Sequence, residues 1–236
     1  MSQSKPSTNV HMGLGARTVN LAADNDIFVS DPVTYIRNHA CCLHPEIEDG
    51  TGEALGSATS ATYNTHATAI AKGKLYGQLA SARLTAKLYA ASSASYNLPM
   101  IKLVPGTSGE EFAFLPWKED TCTATTLFSS ADIFLTGPLS GCNIYIGEKT
   151  GYWPLVLHAN SNKNAEDKTS NLIAKDTDAI NIATKMGYKL THRLARGAYQ
   201  IPAFVWGTRD GNDWRFFVHS ADVVNRTATN TALGTI

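Results

Sequence analysis

From about residue 100 onward the apolar residues come in short runs, and most are closed by Gly, Pro, Asn or Asp. Runs of that length cannot bury a stripe over several helical turns, but they match strands bounded by turns. The reading places strands at 100–104, 111–117, 133–136, 143–147, 153–158, 188–194, 200–208 and 213–220. The first two are separated by Pro-Gly-Thr-Ser-Gly, which predicts a hairpin, and the last two by the strong turn Arg-Asp-Gly-Asn. Upstream, residues 80–90 alternate strictly. Ala80, Ala82, Leu84, Ala86, Leu88 and Ala90 fall on one side and the polar residues on the other, which argues strand.

Helical signals are fewer. Asp31-Pro32 reads as an N-cap followed by Pro at the first helical position, with Val33, Ile36, Ala40 and Leu43 at helical spacing and Pro45 as the stop. Residues 176–186 form a second helix closed by Gly187. Residues 46–66 read as loop. The sum is an α+β fold, with a β-sandwich or mixed sheets flanked by a few helices and loops. Residues 1–26 are polar and aperiodic and are expected to be a flexible N-terminal arm; 27–236 are expected to form one domain.

Composition narrows the function classes. The 236 residues are 43% apolar and 17% charged, with Lys plus Arg equal to Asp plus Glu at 20 each. A chain with no net charge has no global field for nucleic acid, so no nucleic-acid partner is expected. There is no apolar stretch long enough to span a bilayer, so no membrane partner is expected either, and no signal-peptide h-region precedes the fold. The four cysteines, at 41, 42, 122 and 142, are too sparse for a disulfide framework and read as thiols of a reducing compartment.

The chemistry concentrates in 132–160. Cys142 follows Gly-Pro-Leu-Ser-Gly and precedes an apolar strand, and His158 ends the next one. Small neighbours let a carbonyl approach the sulfur, and backbone N–H groups at such a junction are free to face an oxyanion. A turn over 147–151 would bring the two strands side by side and the imidazole within reach of the thiol, as a nucleophile–base pair requires. Thr136, at the end of its strand, is the candidate to orient the ring.

The stretch from Leu98 to Asn160, about a quarter of the chain, resembles the Burkholderia lethal factor-type glutamine deamidase toxins and, more distantly, the catalytic domain of the cytotoxic necrotising factors. The resemblance is carried by Phe114-Leu115-Pro116-Trp117-Lys118, by Thr136, by Leu139-Ser140-Gly141-Cys142 and by the downstream His158. It implies a β-sandwich with flanking helices, Cys142 as nucleophile, His158 as base and Thr136 as third member, with no metal or organic cofactor. Leu139, Ser140 and Gly141 then border the substrate, and Trp153 is a candidate for the pocket rim. The implied activity is conversion of a protein glutamine to glutamate through a thioester. The implied substrate is a host protein: the translation initiation helicase first, a Rho-type GTPase second. The enzyme would be made in a bacterial cytoplasm without a Sec signal, act as a monomer, and work in the host cytoplasm after delivery. The interval from Cys142 to His158 is longer than in the lethal factor, by a few residues at 148–151.

Two other readings use the same residues. A transglutaminase or cysteine peptidase shares the acyl-enzyme chemistry, and a non-catalytic β-sandwich binding protein would use Cys142 and His158 only for packing. His39, Cys41, Cys42 and His44 suggest a metal cluster, but their helical spacing does not converge, and core cysteines are the better expectation. Trp117, Trp206 and Trp214 are expected in the core or on a sheet face.

Overall fold

A computed structural model describes residues 21–43, 84–89, 98–105, 112–115, 122–127, 131–160 and 168–236. The helices are α1 (Leu21–Ser30), α2 (Pro32–Asn38) and α3 (Lys168–Met186). The strands are β1 (Cys42–Leu43), β2 (Leu84–Tyr89), β3 (Met100–Pro105), β4 (Phe112–Leu115), β5 (Cys122–Thr126), β6 (Ile133–Thr136), β7 (Asn143–Glu148), β8 (Leu155–Ala159), β9 (Lys189–Leu194), β10 (Ala203–Asp210), β11 (Asp213–Asp222) and β12 (Thr227–Thr235).

Alternating side chains decide how these strands stack. Five strands pair in the order β12-β11-β10-β6-β4, and four in the order β5-β8-β7-β9. Ala113, Leu115, Phe134, Val205, Trp214, Phe216 and Val218 of the larger sheet meet Cys142, Ile144, Ile146, Val156 and Leu194 of the smaller one in a shared core. The intervening residues point outward and need cover of their own. Phe112, Phe114, Ile133, Leu135, Phe204 and Trp206 find it beneath α1, α2, β1 and β3, where Phe28, Tyr35 and Ile36 are buried. Tyr145, Leu155 and Leu157 find it beneath α3 through Ala179, Ala183 and Met186. The fold is therefore α+β, with two packed sheets and helices on both outer faces. No described helix is long and apolar enough to cross a membrane.

Several expectations are corrected. β3 and β4 do not form a hairpin: β3 lies between β1 and β2 in a separate three-stranded sheet, while β4 pairs in parallel with β6. Phe-Ala-Phe-Leu is apolar at every position and is buried at every position, which suits a strand covered on both faces. α2 starts as expected, with the Asp31 carboxylate accepting from the Thr34 N–H at 2.9 Å, but stops at Asn38. His39 is extended, and Cys42–Leu43 turns from helix to strand because it pairs with Met100–Ile101 of β3. α3 begins at Lys168, before the expected 176, and ends at Gly187 with φ 73°, a conformation glycine adopts without strain. α1 crosses the boundary drawn at residue 26 and buries Phe28 edge-on against Tyr35 at 5.4 Å. The strand expected over 80–90 is found from Leu84; residues 80–83, the loop read at 46–66 and Pro116–Lys118 lie outside the described residues.

Candidate functional site

Leu139 through Cys142 form the hinge between the two sheets. Leu139 is buried and bridges to β10, its N–H donating to the Ala203 carbonyl at 2.7 Å. Ser140 is exposed, and its N–H points back at the Cys142 sulfur. Gly141 has φ 152°, in the range where an L side chain is strained, so the chain can enter β7 in this way only with glycine at this position. Cys142 is the residue immediately before β7.

The β7–β8 hairpin then sets the pair. Asn143 pairs with Ala159 and Ile144 with His158. Cross-strand partners share a face, and alternation puts Cys142 on the face of Ile144. Cys142 and His158 therefore point into the same inter-sheet core as diagonal neighbours, roughly 7–8 Å apart at Cα by ladder geometry. The Cys142 thiol donates to Asn160 Oδ1 at 3.4 Å. The sulfur is almost covered, the residue being 2% exposed. Burial raises the thiol's pKa, opposed by the Ser140 N–H and by the charge of Lys175.

His158 is fully buried, and neither ring nitrogen has a hydrogen-bond partner. Burial, helped by Lys175, pulls its pKa down to about 3, so the ring is neutral at pH 7. A buried imidazole with both nitrogens unsatisfied is costly, because its lost water contacts are not replaced.

The expected third member does not orient this ring. Thr136 faces the inter-sheet core, but its hydroxyl donates to the Gly137 carbonyl at 2.9 Å and accepts from the Val205 N–H at 3.0 Å. The hydroxyl is spent on tying β6 to β10 at the end of their ladder. Trp153 is not brought to Cys142 either. It lies beyond the far end of the β7–β8 hairpin, beneath the Arg209 guanidinium, with its carbonyl held by the Tyr188 hydroxyl.

Four residues not marked in the sequence do converge on Cys142: Asn160, Lys175, Tyr199 and Arg196. The Lys175 ammonium donates to the Gly141 carbonyl at 2.7 Å, and the Tyr199 hydroxyl donates to the Cys142 carbonyl at 2.9 Å. Both peptide oxygens around the thiol are thus held by side chains from distant segments. Arg196 packs over Gly141, and its N–H donates to Asn143 Oδ1. Lys175 carried a readable signal, being a lysine in register with Asn171, Ala179 and Ala183 on the buried side of α3. Tyr199 and Arg196 sit in an aperiodic loop and carried none.

Beside this junction lies an open cleft of about 640 Å³, lined by Ser140, Gly141, Arg196, Tyr199, Gln200 and Asp222 among others. It reaches the two residues before the thiol, though the sulfur itself does not line it.

A Cys–His contact lies on the other side of the larger sheet. The Asn230 amide group donates to the Ile36 and Arg37 carbonyls, which fixes its oxygen toward His219 Nδ1 at 3.2 Å and Trp206 Nε1 at 2.9 Å. His219 Nδ1 faces that oxygen, and Nε2 faces the Cys41 carbonyl, N–H and thiol at 3.2, 3.5 and 3.7 Å, with the tautomer setting which nitrogen donates. Cys42 is also buried, its thiol toward the Pro99 carbonyl. His39 stacks on Tyr35, and His44 lies outside the described residues. Among the described residues no three His, Cys, Asp or Glu side chains are grouped to hold a metal.

No protein-family model matches this chain, and no curated protein matches its sequence.

Proposed function

We propose that this chain is a cysteine amidohydrolase of the glutamine-deamidase toxin type, converting a protein glutamine to glutamate with Cys142 as nucleophile and His158 as base. The observation that carries this reading is the His158 ring: neutral, with no hydrogen-bond partner on either nitrogen, and on the same strand-pair face as the thiol. A purely structural histidine would normally have its nitrogens satisfied.

In this mechanism the thiol proton passes to the imidazole as the sulfur attacks the carboxamide carbon. The growing negative charge beside the ring supports its protonation, offsetting the burial that holds it neutral at rest. The C–N bond breaks as the imidazolium returns the proton to the departing ammonia. Water then adds to the thioester with His158 again as base, releasing glutamate and the thiol. The cleft beside Ser140 and Gly141 is where the glutamine-bearing segment would lie. The substrate favoured by the resemblance is a host protein, the translation initiation helicase before a Rho-type GTPase, reached after delivery into the host cytoplasm.

The test is peptide mapping of eukaryotic lysate proteins after exposure to wild type and to Cys142→Ser. Conversion of one target glutamine to glutamate by wild type alone supports the reading. Incorporation of an added primary amine would move it to a transglutaminase, and backbone cleavage to a peptidase. One observation favours a non-catalytic β-sandwich: the thiol is nearly sealed and bonded to Asn160. Under that reading Cys142 alkylates no faster than Cys41 at any pH.

A further inference from the structure

Lys175 sits where a lysine is least expected. It is 5% exposed on the inward side of α3, in the series Asn171, Lys175, Ala179, Ala183. Its place is set by its neighbour in sequence: Asp176 accepts from the Tyr145 hydroxyl of β7 and pairs with Arg193 of β9, which fixes this turn of α3 over the smaller sheet. From there the Lys175 ammonium reaches the Gly141 carbonyl at 2.7 Å, the peptide oxygen next to the thiol. Among the described residues no carboxylate forms an ion pair with it. A cation drawn out of water without a counter-ion is costly, and such a group is expected where an anion is to be met. The anion this junction can form is the Cys142 thiolate. Burial lowers the Lys175 ammonium and raises the Cys142 thiol, and the attraction between ammonium and thiolate opposes both shifts.

We infer that Lys175 is the positioning residue that makes Cys142 a nucleophile, its charge stabilising the thiolate and its bond to Gly141 fixing the peptide that carries the sulfur. The inference rests on the amidohydrolase reading and deepens it by dividing the labour. In a simple Cys–His ion pair the imidazolium supplies both the charge and the proton. Here Lys175 holds the charge throughout, neither gaining nor losing a proton, and His158 only accepts and returns one. The Gly141–Cys142 peptide is planar, so a carbonyl held toward α3 turns the Cys142 N–H to the opposite side. The charged and titratable groups around the sulfur are His158 from β8, Lys175 from α3, and Arg196 and Tyr199 from the loop after β9. Arg196 opposes the charge on Lys175, so it cannot be the group that keeps Lys175 charged.

The test is the rate of Cys142 alkylation by iodoacetamide from pH 6 to 10, located by peptide mass, in the full chain without substrate. Wild type, Lys175→Arg, Lys175→Gln and Lys175→Met are compared. Lys175→Gln keeps a donor for the Gly141 carbonyl and loses only the charge. Removing a nearby opposite charge should move the midpoint of its profile up by about one unit or more, slowing the reaction about tenfold below the midpoint. Lys175→Met should shift it at least as far, and Lys175→Arg should keep the wild-type midpoint. If Lys175→Met does not fold by circular dichroism, Lys175→Gln decides. A Lys175→Gln profile superimposable on wild type overturns the inference and leaves the amidohydrolase reading standing. A wild-type Cys142 that reacts no faster than Cys41 across the range overturns both.

Discussion

Among the described residues two histidines are buried near cysteines, one on each side of the larger sheet, and the fold treats them in opposite ways. His219 has both nitrogens engaged, by Asn230 and by Cys41, and Phe204 stacks on its ring at 4.7 Å. His158 has neither nitrogen engaged. Burial depresses both, to about 4 for His219 and about 3 for His158, so charge state does not distinguish them. Hydrogen bonding does. At His219 the ring joins α2, β11 and β12 into one network and its removal would orphan several partners. At His158 the ring gives the fold nothing polar in return for its desolvation. The same residue pair thus serves cohesion in one place and, on the reading proposed above, reactivity in the other.

The largest effect that would break this comparison is on activity. His158→Ala should lower deamidation by about 10²–10⁴-fold, the range for loss of a general base, while His219 variants that remain folded should retain it. A mass-based glutamine assay measures both. An active His158→Ala would remove the contrast altogether.

Stability should move the other way. His219→Leu leaves Asn230 Oδ1 with Trp206 Nε1 as its remaining donor and strips the partner from the Cys41 N–H, so it should destabilise by roughly 1–3 kcal/mol. His158→Leu removes two unsatisfied nitrogens from the core and should be neutral or stabilising by about 1 kcal/mol. Urea titration of the two variants reads the difference; equal destabilisation would mean that His158 has a structural partner after all.

Acid sharpens the comparison next. A histidine with a folded pKa below its unfolded value of 6.5 binds protons preferentially in the unfolded chain once the pH falls below 6.5. The stability is therefore whole above pH 6.5 and is lost as the pH drops from there toward 4, by roughly 1.4 kcal/mol per unit for each ring. His158→Leu should reduce the slope by one ring's share. A melting temperature flat from pH 6.5 to 4.5 would contradict burial of both as neutral rings.

The smallest expected effect concerns the support of the cohesive pair. α2 presents the Ile36 and Arg37 carbonyls to Asn230, and Asp31 caps that helix. Asp31→Ala should cost about 1 kcal/mol and leave Cys142 alkylation unchanged, which thermal melts and labelling would show together.

What could be read from the sequence follows from what each pattern encodes. The strand-end positions of Cys142 and His158 were legible because β7 and β8 are continuous apolar runs with a short turn between them. Leu139 to Gly141 was legible as a junction because glycine marks a backbone other residues resist. β5 and β12 were not legible, being rich in threonine and poor in large apolar side chains, so only pairing with β8 and β11 defines them. The partner of β4 was hidden because periodicity gives a strand's faces and not its neighbours. Thr136 was correctly placed at the end of its strand, but its hydroxyl accepts from the Val205 N–H rather than holding the ring. Tyr199 and Asn160 act through contacts with distant segments, which no repeat can announce.

The oxygens flanking the thiol are held by Lys175 and Tyr199, and the core beneath it is closed by Val205, Trp214 and Val218. All of these are translated after both Cys142 and His158. A polypeptide still on the ribosome, or cut short before residue 199, would carry the sulfur and the imidazole yet leave them unset. The surroundings of the sulfur are then completed only late in the synthesis of the chain.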